Sequence, residues 1–413
     1  MENKLIIILI VVIGAVAISQ LVRVYELTAK LRKHGEHEIP TRDNYLNSKL
    51  MLAFMIFQFG GFIYLLGKYG WTGRGPAASV QGESTDWLLN LNFAIIIAIF
   101  FLTNFLLFFF SYKYVKRPGV KAFYYPHNNK LEMLWTVVPA AVLAVIIILG
   151  LKSWNELTSG SPENAIRIEL YSKQFDWTAR YSGGDNTLGK TDYKLILGNN
   201  ELGLMTEATI DSSILAMRAG AGGILDIQKL LNNRDTVLTD SLTNLLRKDL
   251  GSKERLLRLL TQMKATHNKK LDKQVYDDII QKDTLYLCVN KPYEFTFRSK
   301  DVIHSAYFPH FRAQMNTVPG YGTRLKFTPN KTTEEMRKIK NLSTFNYVLM
   351  CNKICGGAHY KMKMMVVVLE EAQYNAWMKG KATKNFKATY FPAAPTAPAP
   401  PTTPGDTVST TMN

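Results

Sequence analysis

The sequence predicts a two-part protein: a membrane α-helical N-terminal part with four transmembrane helices, then an all-β domain carrying a helical insertion. Three observations predict it. Four uncharged apolar runs fall within the first 151 residues, each close to the roughly 20 residues that cross a bilayer. From about Lys152 the chain turns polar and offers short β-branched and aromatic runs separated by Pro, Gly and Asn, the pattern of a small β-sandwich or Greek-key barrel. Between two of those runs, Asp211–Lys282 carries leucine-type residues at helical intervals.

The four spans are Leu5–Val22, Leu50–Gly67, Trp87–Tyr112 and Met133–Leu151. A charge at a bilayer centre costs roughly 2.5–3.5 kcal/mol even on the gentlest scale, so four uncharged runs in succession argue for membrane helices over buried core helices. Orientation follows from the connecting loops. Arg23, Lys30, Arg32, Lys33, Arg42 and Lys49 lie between the first two spans, and Lys113, Lys116, Arg117, Lys121 and Lys130 between the last two. The middle loop has only Lys68 and Arg74. Basic loops stay on the cytoplasmic or matrix side, which sends both chain ends to the opposite side. Ala15–Ala17 (AVA) has the form of a signal-peptide cleavage site. A signal peptide would invert this charge asymmetry, so the first span is read as a membrane helix.

Past the membrane part, AIRIELYSKQFDWTARY (Ala165–Tyr181) reads as a strand pair. Leu285–Pro309, Leu325–Lys331 and Thr344–Glu370 continue in that style, the last with a loop between two strands. The helical insertion either packs and shields or docks a partner. The Pro/Ala/Thr-rich end cannot bury enough apolar surface to fold and is expected to be disordered. The expected organisation is 1–86, two additional helices and loops; 87–151, a transmembrane hairpin; 152–385, the β domain with its insertion at about 190–283; and 386–413, the tail.

The net charge is +17, from 50 basic and 33 acidic side chains. No zinc-finger spacing or Gly/aromatic/basic RNA signature accompanies it, so nucleic acid is not expected as a partner. Three cysteines do not make a disulfide framework. Cys288, in LYLCVNKPY, reads as a small buried hydrophobe. With no C-x-x-C-H, no covalent haem is expected.

The other two cysteines sit in CNKICGGAHYKM, Cys351–Met362. This C-x3-C-x3-H-x2-M array offers two thiolates, the His359 imidazole and the Met362 thioether. Soft sulfur ligands select copper or zinc, and a weak axial Met belongs to electron-transfer copper. Zinc rarely takes Met, and a disulfide would leave His359 and Met362 unexplained. Two cysteines four apart can each bridge two metal ions if a second imidazole comes from elsewhere. His34, His37 and His127 fall in inner loops and His267 in the insertion, leaving His304 and His310. His304, at the end of an apolar strand, is preferred; His310, after a proline, reads as a surface residue.

DVIHS followed about 46 residues later by CNKICGGAHYKM resembles the CuA domain of subunit II of haem–copper cytochrome c oxidase. NNKLEMLWTVVPAAVLAVII resembles that family's second membrane helix, and KQFDWTARY occupies the place of its aromatic strand. The resemblance covers about Trp87–Tyr181 and Leu285–Trp377. It implies a cupredoxin-like Greek-key domain holding a binuclear copper centre. Cys351 and Cys355 would be the bridges, His304 and His359 the terminal ligands, and Met362 and the carbonyl of Lys353 the weak ones. It further implies a relay, from a cytochrome c to haem a of subunit I, where haem a and CuB reduce oxygen with proton pumping. Subunit III and membrane lipids are the other expected neighbours. Glu132 matches a glutamate associated with proton uptake; the alternative is an interfacial carboxylate near Lys130.

Three departures bear on these expectations. Lys353 stands where the family has a glutamate that helps hold an interface magnesium, so that magnesium site loses a carboxylate. Phe175 replaces the tryptophan through which electrons enter, with Trp177 two residues on. A basic chain with a large insertion does not offer the acidic surface that a basic, soluble cytochrome c prefers. A tethered or complex-bound cytochrome c is therefore expected, in a supercomplex with a quinol-oxidising complex (complex III or alternative complex III). The expected location is a bacterial inner membrane with the CuA domain and both termini periplasmic; the mitochondrial inner membrane is the alternative. Competing functions are a quinol-oxidase subunit II, which lacks the copper ligands, and a membrane-anchored copper-assembly protein, whose sites are sparse. Nitrous oxide reductase also holds CuA but needs many more than seven histidines.

Overall fold

The computed structural model describes residues 2–31, 40–70, 74–233 and 238–391. The chain divides into two compact units, Met1–Gly75 with Leu89–Ile146, and Pro76–Leu88 with Ile147–Asn413. His34 and His37 lie outside the described residues.

Four helices come first: α1 (Glu2–Leu31), α2 (Thr41–Tyr69), α3 (Val80–Lys113) and α4 (Asn129–Thr158). All four contain stretches long and apolar enough to cross a membrane. Each helix overruns its apolar run into polar flanks. Within the first unit α2 and α3 meet through phenylalanines. Phe54 lies 5.6 Å from Phe108, Phe59 4.6 Å from Phe101 and Phe62 5.1 Å from Phe100. Such ring pairs supply the close packing that hydrocarbon-embedded helices need in place of a hydrophobic drive.

The second unit is a sandwich of two five-stranded sheets. It opens with β1 (Ile166–Lys173) and β2 (Asp176–Tyr181). The insertion follows as α5 (Glu207–Ala219), α6 (Ile224–Asn232), α7 (Asp240–Thr266) and the short α8 (Lys273–Tyr276). Then come β3 (Ile279–Lys282), β4 (Thr284–Cys288), β5 (Tyr293–Ser299), β6 (His304–Phe308), β7 (Ala313–Thr317) and β8 (Thr323–Phe327). The chain closes with α9 (Thr333–Lys340), β9 (Tyr347–Cys351), β10 (Lys363–Leu369), α10 (Glu371–Ala382) and α11 (Phe386–Tyr390). One sheet runs β3-β2-β1-β5-β8 and the other β4-β10-β9-β6-β7, with β1–β5 and β4–β10 parallel.

Period-2 burial makes the core. In β5, Tyr293, Phe295 and Phe297 point inward while Glu294, Thr296 and Arg298 point out. Phe295, Phe308 and Phe311 gather around Phe327 at 4.9, 5.3 and 5.0 Å between ring centres. Cys288 is buried in the same core. The residues before α3 join this unit by backbone pairing: the Ala78 N–H donates to His310 O, and the Val80 N–H to Thr328 O.

Three expectations need correction. The helical reading ran to Lys282, but Ile279–Lys282 is a strand beside β2, with Ile279 opposite Tyr181; two β-branched residues there win a sheet edge over one more helical turn. The tail, expected from residue 386, begins later. Phe386 is buried, its N–H donates to Asp278 O, and its ring packs 5.0 Å from Tyr390 in α11. Residues 392–413, where disorder was expected, lie outside the described residues. His310 is not a surface residue but is half-buried between Phe345 and Tyr347, and burial together with Lys340 and Arg312 lowers its pKa to about 4.

The root of the insertion is clamped by buried charges. Glu169 on β1 receives the guanidinium groups of Arg180 and Arg298. Arg180 also donates to Gly189 O at 2.9 Å and to Asp278 at 2.8 Å, and Arg298 donates to Leu202 O at 3.0 Å. Both arginines thus hold carbonyls of the segment that leads into the helices, and Asp278 anchors the segment that leads out. Burial lifts the Asp278 carboxyl from 3.8 to about 7 against the pull of Arg180. A carboxyl raised on folding contributes stability that is complete below its unfolded pKa and is lost as pH rises through its folded pKa. Asp278→Asn is therefore expected to gain on the wild type between pH 4 and 7, by at most about 1.4 kcal/mol per pH unit. Denaturant midpoints of both proteins across that range check it; parallel curves would contradict it.

Candidate metal centre

A three-strand ladder builds the site. β6 and β9 run antiparallel with Ala306 opposite Cys351, and the Asn352 N–H donates to Ser305 O. β9 and β10 form a hairpin in which Lys363 faces Met350 and the Cys351 N–H donates to Met362 O. This register sets His304 at the start of β6, Cys351 at the end of β9 and Met362 just before β10, all at one end of the sheet. The connection between them, residues 352–362, carries Lys353, Cys355 and His359.

The side chains converge. The Cys351 and Cys355 sulfurs lie 3.9 Å apart, with no disulfide between them. His304 Nδ1 is 3.9 Å from Cys351 Sγ, and His359 Nδ1 is 3.5 Å from Cys355 Sγ. Met362 Sδ lies 3.8 Å from Cys355 Sγ, and the Lys353 carbonyl accepts from Cys351 Sγ at 3.1 Å. His304, Cys351, Cys355 and Met362 are buried, and His359 is half-buried. The ligand atoms of His304, Cys351 and Cys355 alone fall within 4.8 Å of one another. Burial and the neighbouring Cys351 push the Cys355 thiol up to about 11. Two thiols and two imidazoles this close, with a thioether beside them, form a soft donor set that fits a metal ion.

A second set of contacts fixes the donors. His304 Nε2 pairs with Asp301 Oδ1 at 2.9 Å, which leaves Nδ1 as the nitrogen facing the sulfurs. Asp301 accepts in turn from the Gln174 N–H and the Val302 N–H, each at 2.7 Å. Burial opposes ionisation of this carboxyl, yet the Gln174 N–H and the His304 ring hold its pKa below the usual range. The Gln174 side chain donates to Cys355 O at 2.6 Å. Trp177 is fully buried with its ring 6.3 Å from His304. Phe175 is half-buried beside Gly356.

The structure thus brings together His304, Cys351, Lys353, Cys355, His359 and Met362. Glu132 is elsewhere, in the first turn of α4, where it accepts from the Asn128 N–H at 3.2 Å while the Asn128 side chain accepts from the Leu131 N–H. That is a helix-capping arrangement. Sequence reasoning did not single out Asp301, Gln174 or Gly356. Asp301 stands three residues before His304, a spacing that signals a carboxylate–histidine pair only once the histidine is known to be a ligand.

Residues 72–153 match the family described as "Cytochrome C oxidase subunit II, transmembrane domain". The "Alternative cytochrome c oxidase subunit 2" of Bradyrhizobium diazoefficiens is 25% identical over 334 residues, covering 80% of this chain and 91% of that protein. The "Cytochrome c oxidase subunit 2" of Cereibacter sphaeroides is 23% identical, covering 79% and 86% respectively. Among solved structures, the periplasmic domain of subunit II of cytochrome oxidase of Bradyrhizobium japonicum aligns with 54% of this chain and 98% of its own length, at 14% identity and a TM-score of 0.27.

Gly356 offers a test of the geometry. Its φ is +139°, and a Cβ there would come within 2.9 Å of both Gln174 Nε2 and the Phe175 ring. Gly356→Ala is expected to cost about 1–3 kcal/mol and to weaken metal retention against a chelator. Retention equal to the wild type would show that the loop does not depend on this packing.

Proposed function

We propose that this chain, which is similar to cytochrome c oxidase subunit II, is a member of that family and the electron-receiving subunit of a haem–copper oxidase. Single electrons come from a cytochrome c, pass through a binuclear CuA centre and go on to haem a of subunit I. Oxygen is reduced there at haem and CuB, with proton pumping. The carrying observation is the set of six converging donors. A lone tetrahedral zinc would use four and leave two idle, whereas two copper ions sharing two thiolates use all six. In this reading Cys351 and Cys355 bridge, His304 and His359 are terminal ligands, and Met362 and the Lys353 carbonyl are the weak ones.

A copper pair bound there supplies a one-electron store spread over two metals. The protein's part is to keep that store's surroundings still. His304 and Met362 exclude water by burial, Asp301 fixes the His304 ring, and Gln174 fixes the loop carbonyl. A rigid, dry cage changes little on gaining or losing charge. Phe175, half-buried against the loop, is the aromatic placed to meet the donor, while the buried Trp177 supports His304. The exposed Lys353 amine cannot supply a carboxylate to an interface magnesium. Glu132 is the inner-end carboxylate we assign to proton uptake. The orientation read from the loops puts the copper domain on the periplasmic face of a bacterial inner membrane.

The rim bears on the donor. Lys353, Lys361 and Lys363 are exposed around the cysteine loop, with Ile354 86% and Tyr360 76% exposed among them. A basic rim repels a lysine-rich soluble cytochrome c, which favours a donor that is tethered or held in a supercomplex with a quinol-oxidising complex. Fast, steeply salt-dependent oxidation of free mitochondrial-type cytochrome c in stopped flow would count against this.

The copper reading predicts two copper ions per chain by metal analysis and a multi-line hyperfine pattern in electron spin resonance. Cys355→Ser is expected to abolish that pattern, and Asp301→Ala to cost about 10–100-fold in copper affinity. Met362→Leu should retain copper and raise its potential, since the oxidised form loses a donor. Zinc, a single copper ion or a Cys351–Cys355 bond in the native protein would overturn the assignment.

A further inference from the structure

A groove of about 860 Å³ lies between the last turns of α4, the first residues of α3 and the sheet edge at β8. The metal centre makes no use of it. Its floor is apolar: Ile148 and Leu151 are 66% and 58% exposed on a helix that can cross a membrane. Its rim carries both signs of charge. Lys152 and Glu156 stand one turn apart on α4, and neither has a hydrogen-bond or ion-pair partner among the described residues. Lysine ahead of glutamate is the weaker order for pairing along a helix. From the β side, Lys326 is held at the rim by donating to Ser159 Oγ at 3.1 Å and to Gly160 O at 2.7 Å.

Hydrocarbon contact at one end and a separated cation and anion at the other match one kind of molecule. We infer that the groove binds a zwitterionic aminophospholipid. Its phosphate faces Lys152 and Lys326, its primary ammonium donates to Glu156, and its acyl chains run along Ile148 and Leu151. A purely anionic headgroup would set like charge against Glu156. A quaternary amine has no N–H to donate, so it forgoes the charge-assisted bond. The inference rests on α4 being a membrane helix and is independent of the metal assignment, so copper content serves as a separate check of folding.

The test uses the intact oxidase complex in detergent, examined by native mass spectrometry after adding phosphatidylethanolamine, phosphatidylglycerol or phosphatidylcholine. The wild type should retain one more phosphatidylethanolamine than either variant below. Glu156→Gln should lower its preference for phosphatidylethanolamine over phosphatidylcholine about tenfold, the scale of one charge-assisted contact. Lys152→Gln should lower retention of both. Both variants should keep the wild-type copper content. Equal retention of the three lipids by the wild type, or an unchanged preference in Glu156→Gln, overturns the inference. So does the absence of any lipid difference because another subunit fills the groove.

Discussion

The candidate metal centre depends on one ladder of backbone pairing. Ala306 opposite Cys351 fixes the pitch between β6 and β9, and Cys351 bonded to Met362 O fixes the hairpin to β10. A slip of one residue in either pairing would turn His304 or Cys351 to the other face of the sheet. The buried aromatic core around Phe327 and Tyr347 resists such a slip, since every inward ring would turn with it. The site's precision therefore comes from the sandwich, and the loop needs only to carry its donors across a short gap.

The insertion obeys a different logic. Its helices α5–α7 share a small core of Leu195, Ile210 and Leu260. They are tied to the sandwich by Glu169 with Arg180, Arg298 and Asp278, and by an apolar cluster in which Leu202, Leu204 and Val275 pack with Tyr171 and Phe386. Charges taken out of water are costly unless each is paired and hydrogen-bonded, and here both guanidinium groups also satisfy carbonyls of the incoming segment, at Gly189 and Leu202. Such a joint adds specificity of placement.

How much was legible followed from how local each signal was. The membrane spans were readable because a long uncharged run has few alternative fates. The donors were readable because two thiols, an imidazole and a thioether in twelve residues are hard to explain otherwise. His304 came from position along a strand, not from contact. Asp301 and Gln174 were not legible, since their roles arise only when the β1–β2 turn closes over the loop, more than a hundred residues away in sequence. Phe386 and Tyr390 were missed because two aromatic anchors do little to change the composition of a Pro- and Ala-rich stretch. His310 was misread because the aromatic residues that enclose it, Phe345 and Tyr347, come from a distant strand. The β3 strand was lost for the same reason: Ile279 prefers a sheet only because Tyr181 is there to receive it.

The β1–β2 turn reaches the metal loop twice, through the Gln174 side chain to Cys355 O and through the Gln174 N–H to Asp301 and so to His304. One residue thus latches both walls of the cage. The position of the β1–β2 turn and the shape of the metal loop are therefore coupled through a single side chain and its own backbone N–H. Removing the Gln174 side chain would free the Cys355 carbonyl and leave the backbone bond to Asp301 in place, so the two walls would loosen separately.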